Sequence, residues 1–170
     1  SAVFAIDPVQ HRLDLAKQMG ANDVFDLSGP DSSAWMREAN EGYPVDIVLE
    51  MSGAAPAITS AFMVVRNGGR MTLFGIPSDP VEVDIAQNMI FKNLTVFAIN
   101  GRRIWDTWFK TRWLLEGGVV DLRPLITREV GFDDVVDAFS DLERGEACKI
   151  VLRPNEGVDF SDVESSNTAR

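Results

Sequence analysis

The segment Val45-Asp-Ile-Val-Leu-Glu-Met51 is a short apolar run rich in branched side chains, which is typical of a buried β-strand. Residues 54–66 have helical character, and Asn67-Gly68-Gly69 closes that predicted helix. A second apolar strand is predicted at residues 70–75. Two buried strands joined by one helix form a βαβ unit, so this stretch predicts a parallel sheet.

The same alternation of strands and helices extends in both directions along the chain. Further strands are predicted at residues 1–7, 23–27, 94–99, 126–130 and 149–152, and further helices at residues 8–19, 30–40, 86–92, 101–116 and 133–144. We therefore expect an α/β fold with a mostly parallel sheet. Residues 154–170 hold few apolar side chains and several acids, which predicts a disordered acidic tail.

The composition of the 170 residues is that of a globular protein with a formal net charge of −10. Nucleic acids and anionic membranes are excluded as main partners, because both require clustered positive charge. No apolar run approaches the roughly 20 residues that span a bilayer. Cys148 is the only cysteine and His11 the only histidine, so we expect neither a disulfide nor a Cys/His zinc site within the chain. We expect a soluble, cytoplasmic protein.

An acid, Asp7, ends the first predicted strand and stands directly before Pro8 and a helix. In dinucleotide-binding folds an acid at this position binds the adenosine ribose hydroxyls, which favours NAD over a cofactor with a 2′-phosphate. Alternatively, Asp7 only caps the helix, with Pro8 in its first turn. The glycine fingerprint should precede the acid by about 20 residues. No two glycines are separated by a single residue, so either the fold is different or the chain begins after the first strand and the phosphate loop.

Four stretches of the chain together form one recognisable pattern. They are residues 45–54 with the motif Glu-Met-Ser-Gly, residues 67–77, residues 90–109 with the string Gly-Arg-Arg-Ile-Trp-Asp-Thr-Trp, and the C-terminal blocks 124–127 and 145–152. This pattern resembles that of the zinc-dependent medium-chain alcohol dehydrogenases, and within them it looks most like the L-threonine 3-dehydrogenases. The resemblance covers residues 1–153 nearly without gaps.

The resemblance implies a Rossmann-like parallel sheet that lacks its first strand and its glycine-rich loop. Residues 1–153 would form a partial dinucleotide-binding domain together with the family's C-terminal segment. Because the first strand lies at the centre of such a sheet, its absence would separate the strands before residue 30 from those after residue 45. Pairing with a neighbouring chain by domain swapping is the alternative.

The resemblance also implies a set of cofactor-binding residues. These are Asp7, Arg12, Phe74, Gly75, Ile76, Ile99, Asn100, Arg102 and Lys149. The first two would contact the adenosine and the next five the nicotinamide end. The last would lie near the pyrophosphate, and Arg102 is a candidate for a phosphate or interface contact.

Each of these assignments has a plainer structural alternative. Arg12 is otherwise a solvated side chain on a surface helix. The glycine at position 75 otherwise only makes a turn, and Lys149 is otherwise a charge at a strand edge. Arg103, beside Arg102, is expected to be solvated.

Three further features have no catalytic role in this interpretation. Cys148 is expected to pack, because no base motif accompanies it, and His11 is expected to be a surface histidine. The aromatic residues are expected to pack in the core or at a subunit interface. They are Trp105, Trp108, Phe109 and Trp113.

The activity that the resemblance implies is hydride transfer from a secondary alcohol to NAD, with zinc held only by a separate catalytic domain. No catalytic or metal residue is therefore expected here, and the chain alone should be inactive. L-Threonine, oxidised to 2-amino-3-oxobutanoate, is the first substrate, and a polyol such as sorbitol or butanediol is the alternative. The competing hypothesis is a non-catalytic assembly module derived from a dehydrogenase. The resemblance also implies a homo-oligomer that forms through the last sheet strand, residues 94–99.

Overall fold

Strands and helices alternate along residues 1–29 and 31–154, which are the residues that the computed structural model describes. The strands are β1 (Phe4–Asp7), β2 (Asp23–Asp26), β3 (Val45–Glu50), β4 (Val65–Leu73), β5 (Thr95–Ala98), β6 (Ile126–Val130) and β7 (Lys149–Leu152). The α-helices are α1 (Gln10–Gln18), α2 (Ser32–Ala39), α3 (Ala55–Val64), α4 (Asp106–Glu116) and α5 (Val135–Glu143). A π-helical turn at Ala86–Ile90 and a 3-10 turn at Arg123–Leu125 complete the elements.

All strand pairs in the described residues are parallel, which confirms the α/β prediction. The strands form three sheets, with orders β1-β2, β3-β4-β5 and β6-β7. Neither β1 nor β3 pairs with a strand on its second edge within the described residues. The expected separation of the first two strands from the following three is thus confirmed.

The chain divides into two compact units, Ser1–Leu114 and the remainder from Leu115 onward, with the boundary inside α4. The first unit contains β1 to β5 with α1 to α3, and the second contains β6, α5 and β7. Among the described residues of the second unit, the buried side chains are Val130, Ala138 and Ala147. These buried residues come from the end of β6, from α5 and from the segment before β7, so the unit has its own small core.

The largest core of the first unit lies where α3 packs on the β3-β4-β5 sheet. Its buried members are Ile58, Ala61 and Phe62 from α3 and Met71 from β4. Half-buried apolar side chains surround this group, namely Val48, Leu73, Val81, Val83, Met89, Leu94 and Val96. Helix α3 is therefore fixed over the middle strand, and the strand ends beyond it are held in place.

Helix α2 packs against the β1-β2 sheet through an aromatic group. The Trp35 ring stacks on Phe25 with 4.9 Å between ring centroids, and it meets the Phe4 ring edge-on at 6.0 Å. Asp31 caps this helix, since its Oδ1 accepts hydrogen bonds from the Ser33 and Ala34 amides at 2.9 and 3.0 Å. The predicted helix began at Pro30, which lies outside the described residues.

The junction between α3 and β4 differs from the sequence prediction. The helix was expected to reach Arg66 and to end in a glycine turn, but β4 begins at Val65 with no residue between the two elements. Branched Val64 and Val65 favour extended backbone. The glycines form an irregularity inside the strand instead, because Val45 pairs with Val65 while Ile47 pairs with Arg70.

Two other sequence predictions are corrected by the structure. The helix expected at residues 86–92 is a π-helical turn that ends at Ile90. The prediction that the four aromatic residues of segment 105–113 pack in the core is also wrong, because α4 buries no residue and Trp105 is 67% exposed. Apart from Pro154, the expected acidic tail lies outside the described residues.

Candidate functional site

The carboxyl end of β3 carries Glu50, which is 4% exposed and the only charged side chain fully buried in the described residues. Its Oε1 accepts hydrogen bonds from the amide and hydroxyl of Ser52 at 2.9 and 2.6 Å. The Gly53 amide donates to both carboxylate oxygens at 3.1 Å. The carboxylate therefore determines the path of the turn that follows β3.

The carbonyl oxygen of Glu50 holds a second turn, the one that follows β4. It accepts hydrogen bonds from the amides of Phe74 at 2.8 Å and Gly75 at 3.2 Å. One residue thus binds two adjacent turns, Ser52-Gly53 through its side chain and Phe74-Gly75-Ile76 through its backbone. We call these two turns the paired turns.

The paired turns touch each other through their backbones. A Cβ atom added to Gly75 would lie 1.9 Å from the Gly53 nitrogen, and one added to Gly53 would lie 2.6 Å from the carbonyl of Ile76. Gly53 also has a φ of +73°, which L side chains rarely adopt. The contact between the turns explains glycine at both positions, whether or not a ligand approaches Gly75.

The end of β5 lies beside the paired turns. The Ile99 amide donates to the carbonyl oxygen of Leu73, the last residue of β4, at 3.1 Å. Ile76, Ile99 and Asn100 are all exposed. The structure therefore brings the five residues predicted for the nicotinamide end together at the carboxyl end of the β3-β4-β5 sheet.

Asp7 lies at the carboxyl end of β1, in the separate β1-β2 sheet. Its Oδ1 accepts a hydrogen bond from the Val9 amide at 2.9 Å, and Oδ2 accepts none from the described residues. The prediction that Asp7 caps the helix is wrong, because α1 begins at Gln10 and its N-cap residue is Val9. Arg12 lies in the first turn of α1, where its amide donates to the Val9 carbonyl at 3.0 Å.

The two remaining predicted site residues are Arg102 and Lys149. The Arg102 guanidinium lies 5.4 Å from the centroid of the Trp108 ring, in a cation–π arrangement. Lys149 is an exposed residue of β7 in the second unit, and its carbonyl accepts a hydrogen bond from the Thr127 hydroxyl at 3.3 Å. The structure therefore gives Arg102 an aromatic partner, and Lys149 belongs to the second unit.

Two observations concern metal binding and the lone histidine. In residues 1–29 and 31–154, no three His, Cys, Asp or Glu side chains lie close enough to hold a metal ion, so zinc does not fit this part of the chain. His11 was expected on the surface, but it is half-buried and its Nε2 is covered, without a hydrogen-bond partner in the described residues.

None of the helices described is both long and apolar enough to cross a membrane.

Sequence reasoning used Glu50, Ser52 and Gly53 only as part of a family motif and assigned them no role. A signal was nevertheless present, because an acid at the end of a buried strand followed by Ser-Gly is a turn pattern. The same reasoning had been applied to Asp7. The turn pattern does not reveal that the carbonyl oxygen of Glu50 also binds a second turn, which lies more than 20 residues away.

Known proteins share the sequence pattern of this chain over most of its length. A family model described as zinc-binding dehydrogenase matches residues 2–116. The L-threonine 3-dehydrogenase of Caldanaerobacter subterraneus subsp. tengcongensis is 36% identical over 155 residues, which are 91% of this chain and 45% of that protein. The enzyme of the same name from Symbiobacterium thermophilum is 38% identical over 154 residues, 90% of this chain and 44% of that protein.

A solved structure shows the same fold. The 2R,3R-butanediol dehydrogenase from Bacillus subtilis superposes with a TM-score of 0.78 and 24% identity, over 91% of this chain and 44% of that one. The chain thus spans less than half the length of the relatives it matches. Because the family model covers well over half of the chain and the parallel α/β fold agrees with it, the chain belongs to the zinc-binding dehydrogenase family and is similar to its threonine and alcohol dehydrogenases.

Proposed function

We propose that this chain is the NAD-binding part of a dehydrogenase that transfers a hydride from a secondary alcohol to NAD. The observation that carries the proposal is the half-buried carboxylate of Asp7 at the carboxyl end of a parallel strand. One of its oxygens is engaged by the Val9 amide, so the other is available to accept a hydrogen bond. Ligands of open α/β sheets bind outside the carboxyl ends of the strands.

Asp7 would bind the adenosine ribose of the cofactor. A carboxylate accepts hydrogen bonds from ribose hydroxyls, whereas it repels a 2′-phosphate, so NAD is favoured over NADP. Arg12 would lie along the adenosine, where a planar guanidinium packs against the adenine face or bonds a ribose oxygen. Since both residues belong to one β-strand-to-helix connection, they would bind the same half of the cofactor.

The nicotinamide half would meet the carboxyl end of the β3-β4-β5 sheet, where the paired turns and the end of β5 lie. Exposed Ile76 and Ile99 offer apolar contacts. The amides of Phe74 and Gly75 bind Glu50, so the backbone carbonyl groups near Phe74, Gly75 and Asn100 would accept hydrogen bonds from a carboxamide. Lys149 would lie near the pyrophosphate, and Arg102 would contact a phosphate group or a subunit interface. Residues 1–153 would form a partial dinucleotide-binding domain together with the family's C-terminal segment.

The chemistry of hydride transfer requires more than the described residues provide. No group of side chains there fits zinc, so we assign to this chain binding and orientation of NAD and no step at the substrate carbon. We propose that zinc is held by a separate domain, as the family resemblance implies, and that the chain alone is inactive. NAD is the acceptor of the hydride once both substrate and cofactor are bound.

L-Threonine is the substrate that we propose first, because the relatives in the comparison are named for it. It would be oxidised at its hydroxyl-bearing carbon to 2-amino-3-oxobutanoate. A polyol or diol is the alternative, in keeping with the fold shared with a butanediol dehydrogenase. We also propose a cytoplasmic location, which suits the free thiol of Cys148.

An assembly module is the second candidate function, and the free edge of β5 supports it. This strand pairs only with β4 within the described residues, and Phe97 and Ile99 are exposed beside the unpaired edge. Such an edge can pair with a second copy of the chain. We therefore propose homo-oligomerisation through β5, which is compatible with either function.

Titration with NAD tests the first proposal. Calorimetry on the purified chain should detect binding, and Asp7→Ala should weaken it about tenfold or more through loss of a charge-assisted hydrogen bond. Asp46→Ala is the matched control, since it removes an exposed carboxylate from the opposite end of β3. Equal losses in the two variants would contradict the role of Asp7. A well-folded chain that does not bind NAD would favour the assembly module.

A further inference from the structure

We propose that Glu50 is a positioning residue for the cofactor, which fixes the paired turns in the geometry that receives the nicotinamide end. This inference rests on the proposed NAD-binding function. Glu50 itself is fully buried, so it would not touch the cofactor directly. It would act through the backbone of Gly53 and of Phe74-Gly75-Ile76.

The burial of Glu50 is the first argument. A charge withdrawn from water costs several kcal/mol unless other groups compensate it, and no described Lys or Arg forms an ion pair with Glu50. The compensating groups are the Ser52 amide and hydroxyl and the Gly53 amide. A buried acid whose only partners belong to one turn indicates that the carboxylate is there to hold that turn.

The second argument is the direction of the hydrogen bonds. Every group that binds the Glu50 side chain donates a hydrogen bond, which suits a carboxylate because a carboxylate only accepts. The Gly53 amide contacts both oxygens at 3.1 Å. In a glutamine one of these atoms would be an NH2 group facing that N–H donor. The site therefore discriminates between a carboxylate and its isosteric amide.

The third argument is the connection between the two turns. Glu50 binds the first turn through its carboxylate and the second through its carbonyl oxygen. The turns also meet directly, with no room for a Cβ atom between Gly75 and the Gly53 nitrogen. A displacement of Ser52-Gly53 is consequently transmitted to Gly75 and to exposed Ile76. A residue that is itself hidden can in this way control the surface that meets the cofactor.

Two measurements on the same variants test the inference. Glu50→Gln keeps the shape and removes the acceptor from one atom. Ser52→Ala leaves the acid in place but removes one of its donors, and with it the acceptor of the Ala54 amide. Amide exchange by NMR reports on the turns, and calorimetric NAD titration reports on binding. Asp46→Asn, on the same strand but exposed and paired with Arg66, is the matched control.

We expect Glu50→Gln to accelerate exchange at Ser52, Gly53, Phe74 and Gly75 and to weaken NAD affinity, each about tenfold or more. Ser52→Ala should have a smaller effect of the same kind, and Asp46→Asn should have neither. Unchanged NAD affinity in Glu50→Gln would overturn the inference. Uniformly faster exchange throughout β3, β4 and β5 would also overturn it, because it would show a role in stability alone.

The two proposals can fail separately. If the folded wild-type chain does not bind NAD, the proposed function fails, and the role of Glu50 toward the cofactor fails with it. If the wild-type chain binds NAD and Glu50→Gln binds it equally well, only the positioning role fails. Should Glu50→Gln not fold, Ser52→Ala carries the same comparison, because the hydrogen bonds from the Ser52 and Gly53 amides to Glu50 stay in place.

Discussion

The ammonium nitrogen of Lys92 lies 2.5 Å from the carbonyl oxygen of Phe62, in the last turn of α3. It also donates to the carbonyl oxygen of Val65, at 2.9 Å. Helix α3 passes into β4 without an intervening residue, so the carbonyl groups of its last turn cannot be capped by a following loop. Lys92 supplies the missing donor, and its burial lowers the pKa of the ammonium group.

Replacement of Lys92 should therefore destabilise the first unit. In Lys92→Met the apolar stem remains and the donor is lost, which should reduce the free energy of unfolding by about 1–2 kcal/mol. Lys110→Met is the control, since it breaks only the exposed pair with Asp106 and should cost less than about 0.5 kcal/mol. Urea unfolding of both variants checks this. Losses of equal size would mean that Lys92 contributes no more than a surface charge.

The same junction shows how far the sequence could predict the fold. Periodicity located β3, α3 and β4 and their parallel order, because apolar patterns record which faces are buried. It placed the end of α3 two residues late. The reason is that residues 65–69 carry glycines typical of a turn, whereas pairing with β3 draws Val65 into the strand. That pairing is a tertiary effect which local sequence does not encode.

The candidate site was predictable to a similar degree. Asp7 was predicted because it ends a strand, a position that the sequence reveals directly, whereas the segment 74–76 was predicted from the family resemblance. Their roles toward a cofactor stay predictions. The hydrogen bonds of Glu50 were not predicted, because one of the two turns that it holds, Phe74-Gly75, lies more than 20 residues away in sequence. The exposure of Trp105 was also unpredictable, since aromatic residues at helical spacing suggest burial equally well.

A substitution at Gly75 tests the contact between the paired turns. Gly75→Ala would place a Cβ atom 1.9 Å from the Gly53 nitrogen, and since backbone must move, we expect a loss of about 2–4 kcal/mol in the free energy of unfolding. Gly131→Ala is the control, because nothing lies within 4 Å of its added Cβ atom and a small gain of about 0.4–1 kcal/mol is expected. Thermal unfolding of each variant is the measurement. A tolerated Gly75→Ala would show that the turns are not in contact.

The titration of Asp121 tests an exposed ion pair in the second unit. Hydrogen bonds from the Arg123 side chain, at 2.8 and 2.7 Å, lower the pKa of Asp121 to about 2. A lowered pKa stabilises the folded state above the unfolded value near 3.9, and this contribution is lost as the pH falls from about 4 to about 2. An NMR titration should find the Asp121 midpoint near 2 and, in Arg123→Gln, a midpoint shifted toward 3.9. An unshifted midpoint in the variant would contradict the assignment of the cause.

The free edge of β5 offers a test of self-association, because its backbone direction is known. The Ile99 amide donates to Leu73 of β4, and neighbouring residues of a strand point their backbone groups to opposite sides. The N–H of Ala98 therefore points to the edge that has no strand partner in the described residues. A second copy that pairs with this edge would use that N–H as a donor.

Ala98→Pro should consequently abolish self-association and leave the β4-β5 pairing intact, because proline removes only the outward N–H. Ala98→Val keeps that N–H and favours a strand, so it should associate as the wild-type chain does. Sedimentation velocity across a range of concentrations measures both variants, and circular dichroism checks their folding. A folded Ala98→Pro variant that still associates would exclude the β5 edge and direct attention to the exposed aromatic residues of α4, Trp108 and Trp113. A wild-type chain that stays monomeric would remove the assembly module as the second candidate function.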